Sequence, residues 1–91
     1  MNGTKTEDGG TVSAARAIAR HVQRALKQAD VTQVRVAETL DRSQGYVSER
    51  ITGKSAWNVD ELEVINREFL HRPSALALMI EAVENVNVPR R

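Results

Sequence analysis

Cysteine is absent from the 91 residues, which excludes disulfide frameworks and thiolate metal sites. No uninterrupted apolar run reaches transmembrane length, and the opening residues 1–7 lack the apolar core of a signal peptide. A cytoplasmic protein with no membrane partner is therefore the expectation. Catalytic signatures are missing too: no glycine-rich phosphate loop, paired-histidine zinc helix or serine nucleophile elbow occurs. The two histidines, His21 and His71, lie fifty residues apart with no ligand pattern around either. The chain is expected not to be an enzyme, and to need no metal, cofactor or small-molecule ligand. Net charge is only +1, which by itself says nothing for nucleic acid.

What is present is more informative in its arrangement than in its amount. Residues 1–57 carry nine Lys and Arg against six Asp and Glu, whereas residues 58–91 carry four against six. The basic excess falls on the first part of the chain. Ninety-one residues support one small domain with a modest core, one that gains from oligomerisation.

Residues 1–10 are polar and glycine-rich and read as a flexible arm. A helical domain is expected over 11–84, and residues 85–91 read as a tail of extended character. A first helix should begin near Val12 or Ser13 and reach Ala29, with Ala15, Ile18, Ala19, Val22, Ala25 or Leu26, and Ala29 as its apolar stripe. Helices two and three fall at roughly 33–40 and 44–52. Asn58 and Glu61 form a capping box for helix four, which turns Val59, Leu62, Ile65 and Phe69 inward. Asp60, Glu61 and Glu63 suit that helix's positive end and a solvated face. Pro73 suits the first position of helix five, whose apolar residues are Ala75, Leu76, Met79, Ile80 and Val83. The expected architecture is all-α and compact, with five helices.

The stretch 32–48 carries the functional signal. Val36, Ala37 and Leu40 give its first helix a buried stripe. Asp41 stands where the chain must turn, and Asp tolerates the left-handed conformation better than most residues. Ser43 is placed to cap the next helix. Tyr46, Val47 and Ile51 anchor that helix inward, leaving Gln44, Gly45, Ser48 and Glu49 outward. A slim helix with a small polar face can enter the DNA major groove.

This segment resembles the helix-turn-helix of the lambda-repressor-like family, also called the Cro/CI or XRE family. Thr32 and Gln33 match the opening of its second helix, and Val36, Ala37 and Leu40 that helix's core. Val47 and Ser48 match the centre of its recognition helix, and Gly53 and Lys54 the following turn. The run 57–62 is similar to the start of the fourth helix in actinobacterial and actinophage members. The likeness covers about 18–78. It departs at Asp41, where the family usually has Gly, and at Arg50, where many members place an apolar residue.

The resemblance implies a double-stranded DNA operator as partner. It implies base contacts from Gln44, whose amide can pair with adenine N7 and N6, and backbone or bracing contacts from Gln33. Lys54 and Asn58 would hold phosphate, and Arg42 in the turn could do the same. Each of these also reads as a hydrated surface residue. Ser48 is small enough to approach a base edge or phosphate, or to pack closely at the surface. Gly45 either leaves room for a thymine methyl or the sugar-phosphate wall, or weakens the helix by about 1 kcal/mol. Glu49 can accept from cytosine N4, yet holding Arg50, Arg35 or Lys54 by an ion pair is the better-supported role. Trp57 reads as a core residue. Tyr46 should cover the angle between helices two and three while its hydroxyl reaches solvent or phosphate.

The expected function is sequence-specific transcriptional regulation, as a repressor that occludes a promoter. Two alternatives stand beside it: an antitoxin with autoregulatory DNA binding, and a protein-interaction module such as an anti-repressor. A homodimer on an inverted repeat is expected through Leu76, Met79, Ile80 and Val83 of helix five, assisted by Val86 and Val88 of the tail.

Overall fold

The structure, a computed structural model, describes residues 13–87, and within them the chain is an all-α, five-helix domain. Helix α1 spans Ala14–Gln28, with the Ser13 side chain accepting from the Arg16 N–H at 3.2 Å. It packs against α5 on one flank and the end of α3 on the other. Two neighbours bury a wider face than one stripe provides. Ala17 and Ala19 are therefore buried beside Val22, Ala25 and Leu26, whereas Ala15 and Ala29, expected inside, are exposed at the helix ends.

Helix α2 is Gln33–Leu40 and α3 is Gln44–Ile51. Between them Asp41 adopts φ 56, ψ 48, the left-handed cap that stops α2. Val36 and Val47 are wholly buried, and Ile51 nearly so, which fixes the two short helices against each other and against the rest of the core. At the end of α3 the chain turns through Gly53 at φ +86, where any side chain would be strained. Lys54 and Ser55 both donate their N–H to the Glu49 carbonyl, at 2.8 and 3.2 Å.

Helix α4, Val59–Ile65, starts with the full capping box of Asn58 and Glu61. Its inner face is Leu62 and Ile65. Val59 is 55% exposed rather than inward, because it is the first residue of the helix and precedes the turn that faces the core. The helix then widens into a π-helical turn, Asn66–Leu70. One extra residue in that turn moves the inward position on by one. Leu70, five residues after Ile65, becomes the buried side chain, and Phe69 is only half-buried against the core. His71 closes the segment in the left-handed region.

Helix α5 is Ala75–Asn87. Pro73 does not occupy its first position. Ser74 does the capping instead, its hydroxyl accepting from the Ala77 N–H at 3.0 Å and its carbonyl from the Leu78 N–H at 3.1 Å. Ala75, Leu78 and Ala82 form the inward row, with Leu78 wholly buried. The helix continues through Asn87, so residues 85–87 are helical rather than the start of an extended tail. The expected arm 1–10 and Val88 lie outside the described residues, and Val86 lies within α5 without a described side chain. Among the described residues no helix is long and apolar enough to cross a membrane.

Candidate nucleic-acid interface

Helix α3 presents one continuous outer row. Gln44, Gly45 and Glu49 are exposed and Ser48 is half-buried, while Val47 and Ile51 point into the core. Ser43 holds the start of the helix by accepting from the Tyr46 N–H at 3.1 Å, so Gln44 stands in the first turn beside unpaired backbone donors. A Cβ built on Gly45 meets nothing nearer than Ser43 Oγ at 3.9 Å. Among the described residues no packing requires glycine there. Gln33 is exposed at the first position of α2, whose cap Thr32 accepts from the Arg35 N–H at 3.2 Å.

Arg42, Tyr46 and Arg50 form a cationic stack beside this row. The Arg50 guanidinium lies 3.4 Å from the Tyr46 ring centroid and that of Arg42 lies 4.8 Å from it. Nη1 of Arg50 also donates to the Tyr46 carbonyl at 3.2 Å and sits 3.7 Å from Glu49 Oε1. The ion pair anticipated for Glu49 is thus made with Arg50. An arginine is accommodated in this half-buried position because the tyrosine ring covers its charged plane.

The Tyr46 hydroxyl, expected to reach solvent or phosphate, has a partner within the chain. It donates to the Glu61 carboxylate, whose other oxygen accepts from the Asn58 N–H at 3.0 Å. Glu61 is buried, not part of a solvated acidic face. This bond, with burial and the carboxylate's charge adding to it, holds the Tyr46 phenol above its ordinary range, against the opposing Arg50 and Arg42 charges. One carboxylate therefore ties α3 to the start of α4 and fixes the loop between them. Sequence spacing gave no sign of it, since the partners are fifteen residues apart.

Lys54 and Asn58 flank that loop, both exposed. The Asn58 Oδ1 is committed to the Glu61 N–H at 2.7 Å, so only its amide Nδ2 remains to face a ligand. Trp57 closes the core as expected, at 8% exposure.

No family model, curated protein or solved structure matches the chain. The candidate site stands on its geometry.

A second surface lies on α5. Leu76 and Ile80 are 62% and 49% exposed, and Met79 and Val83 are half-buried. With Ala14 and Ile18 of α1, three of these line an open, almost wholly apolar groove of about 370 Å³. The far edge of the α1–α5 contact is polar: His21 Nε2 lies 2.7 Å from Glu81 Oε1, which also accepts from Arg72 Nε at 3.0 Å. These two hydrogen bonds, first that of His21 and then that of Arg72, hold the Glu81 carboxyl below its usual range. His21 is half-buried in this clasp, and among the described residues no group of three or more His, Asp or Glu is placed to hold a metal ion.

Proposed function

We propose that the chain is a lambda-repressor-like, Cro/CI-type DNA-binding regulator in which α2 and α3 form a helix-turn-helix. The observation that carries this reading is the Asp41 turn. Its left-handed cap joins two eight-residue helices and leaves Gln44, Gly45, Ser48 and Glu49 as the outer row of the second. Gln44 reads a base edge from the first turn of α3, and the open space around Gly45 lets the helix approach the groove wall. Gln33, Arg42, Lys54 and the Asn58 amide hold the flanking phosphates, fixing register without adding sequence information. The Tyr46–Glu61 bond keeps the phosphate-contacting loop in step with the reading helix.

Two such heads are paired through α5. Leu76 and Ile80 are too exposed to serve the monomer's core, and the groove beside them supplies a complementary apolar surface. A two-fold dimer reads an inverted repeat and represses by covering a promoter. Selection of bound fragments from random and genomic DNA, followed by footprinting, tests the reading. An inverted repeat with half-sites about one helical turn apart is the expected result. A folded chain that enriches no sequence overturns it and favours a protein-interaction module.

A further inference from the structure

The face of α1 away from the core carries Arg16, Arg20, Arg24 and Lys27, all exposed, on a helix that contains no Asp or Glu. Among the described residues none of these four has a carboxylate within 4 Å. A merely solvated helical face ordinarily mixes both signs at three- and four-residue spacing, and this one does not. Lys27 suits the negative C-terminal end of the helix. Arg16, in the first turn, is at the end that disfavours a cation.

The stripe also has relief. Arg16, Arg20 and Gln23 line a polar hollow of about 110 Å³ with Thr52 and Gly53 at the end of α3. Arg20 and Gln23 also line a second hollow of about 210 Å³ with Arg24 and Lys27. Neither hollow has an acidic lining residue. The two share a wall and make one basic trough that begins where the reading helix ends.

We propose that this trough grips the phosphate backbone of duplex DNA beyond the bases that α3 reads. The inference rests on the DNA-binding reading above and supplies what that site lacks. Between residues 33 and 58 four cations face three carboxylates, a weak attraction for a polyanion, whereas nonspecific affinity scales with the phosphates neutralised. From Arg16 to Lys27 the stripe runs about 16 Å along the helix, and the same length of duplex axis carries about five phosphates on one strand. Guanidinium groups suit phosphate because they bond it in bidentate fashion.

The test is fluorescence anisotropy with a labelled random-sequence duplex of about 30 base pairs, titrated across salt concentrations. The combined variant Arg16→Gln, Arg20→Gln, Lys27→Gln keeps good helix formers at each position. Its salt slope should fall by about two to three phosphate contacts, while the remote Arg67→Gln leaves the slope at the parent value. Arg20→Gln alone, at an exposed position, should remove about one contact and guards against a folding defect in the triple variant. Unchanged slopes overturn the proposal. So does a triple variant that loses binding to polyglutamate but not to DNA, which would make the trough a site for an acidic protein. If selection finds no preferred sequence and the triple variant still loses slope, the reading role of α3 fails and the grip stands.

Discussion

Asn66 offers the sharpest test of how α5 is held in place. It is only 6% exposed, and its amide makes two bonds to the backbone of one residue: Nδ2 donates to the Arg72 carbonyl at 2.9 Å, and Oδ1 accepts from the Arg72 N–H at 2.8 Å. The pair pins the segment between the π-helical turn and α5. Each such bond contributes about 1 kcal/mol net, and stranding partly buried partners adds to the loss. Asn66→Ala should therefore cost about 2–3 kcal/mol, seen as a melting temperature lower by about 10–20 °C for a domain of this size. Asn66→Asp is more diagnostic. The charged carboxylate still accepts from the Arg72 N–H but turns an acceptor toward the Arg72 carbonyl, whereas the protonated acid donates to it. The folded state thus raises the pKa of the new acid. Its stability is fully present below the unfolded value of about 3.9 and is lost as pH rises through the folded value. Urea unfolding followed by circular dichroism from pH 4 to 7, with the parent as reference, should show the penalty growing with pH. A penalty that is flat with pH, or an alanine variant within about 0.5 kcal/mol of the parent, would refute the reasoning.

Gln44→Ala should weaken binding to the selected operator by about 1–3 kcal/mol and relax one base-pair position, with affinity for unrelated DNA little changed. Equal losses on both duplexes at one salt concentration would move Gln44 to the backbone. Leu76→Asp with Ile80→Asp should shift the chain to monomer in sedimentation across a concentration series, without unfolding it, since both side chains are already exposed. A parent that stays monomeric at high micromolar concentration rejects pre-formed pairing. Glu81, with its pKa depressed in the fold, stabilises the α1–α5 clasp above its unfolded pKa of about 4.3 and loses that contribution as pH falls through the lower folded value. Glu81→Gln should accordingly remove part of the parent's acid sensitivity below about pH 4.3, and identical acid profiles for the two would dismiss the clasp.

The helix frame was legible because its signals are local. Ser43, Asp41 and the Asn58–Glu61 box mark boundaries through contacts within four residues, and those boundaries agree with the structure. Misreadings arise where distant partners decide. Nothing near Glu61 in the chain announces the Tyr46 hydroxyl, so a buried junction read as a solvated acid. The π-helical turn breaks the 3.6-residue period on which inward positions were counted, which exchanged the burial of Phe69 and Leu70. The Pro73 misplacement has the same origin as a tie: Ser74 is an equally good start signal one residue on, and a hydroxyl that satisfies the Ala77 N–H prevails. On α5 the structure buries Leu78 completely, whereas Leu76, Met79, Ile80 and Val83, all named from the sequence, keep some exposure.

Trp57 makes this small protein its own reporter. It is the only tryptophan of the chain, it is sequestered, and its indole N–H finds no hydrogen-bond partner among the described residues. Its emission is therefore expected to be that of an apolar site and to shift to the red when water arrives. Because it adjoins Asn58 and sits three residues from Lys54, the signal is tied to the loop between α3 and α4. Fluorescence from the unmodified chain can thus follow that loop through a titration, with no dye attached to the surface being tested.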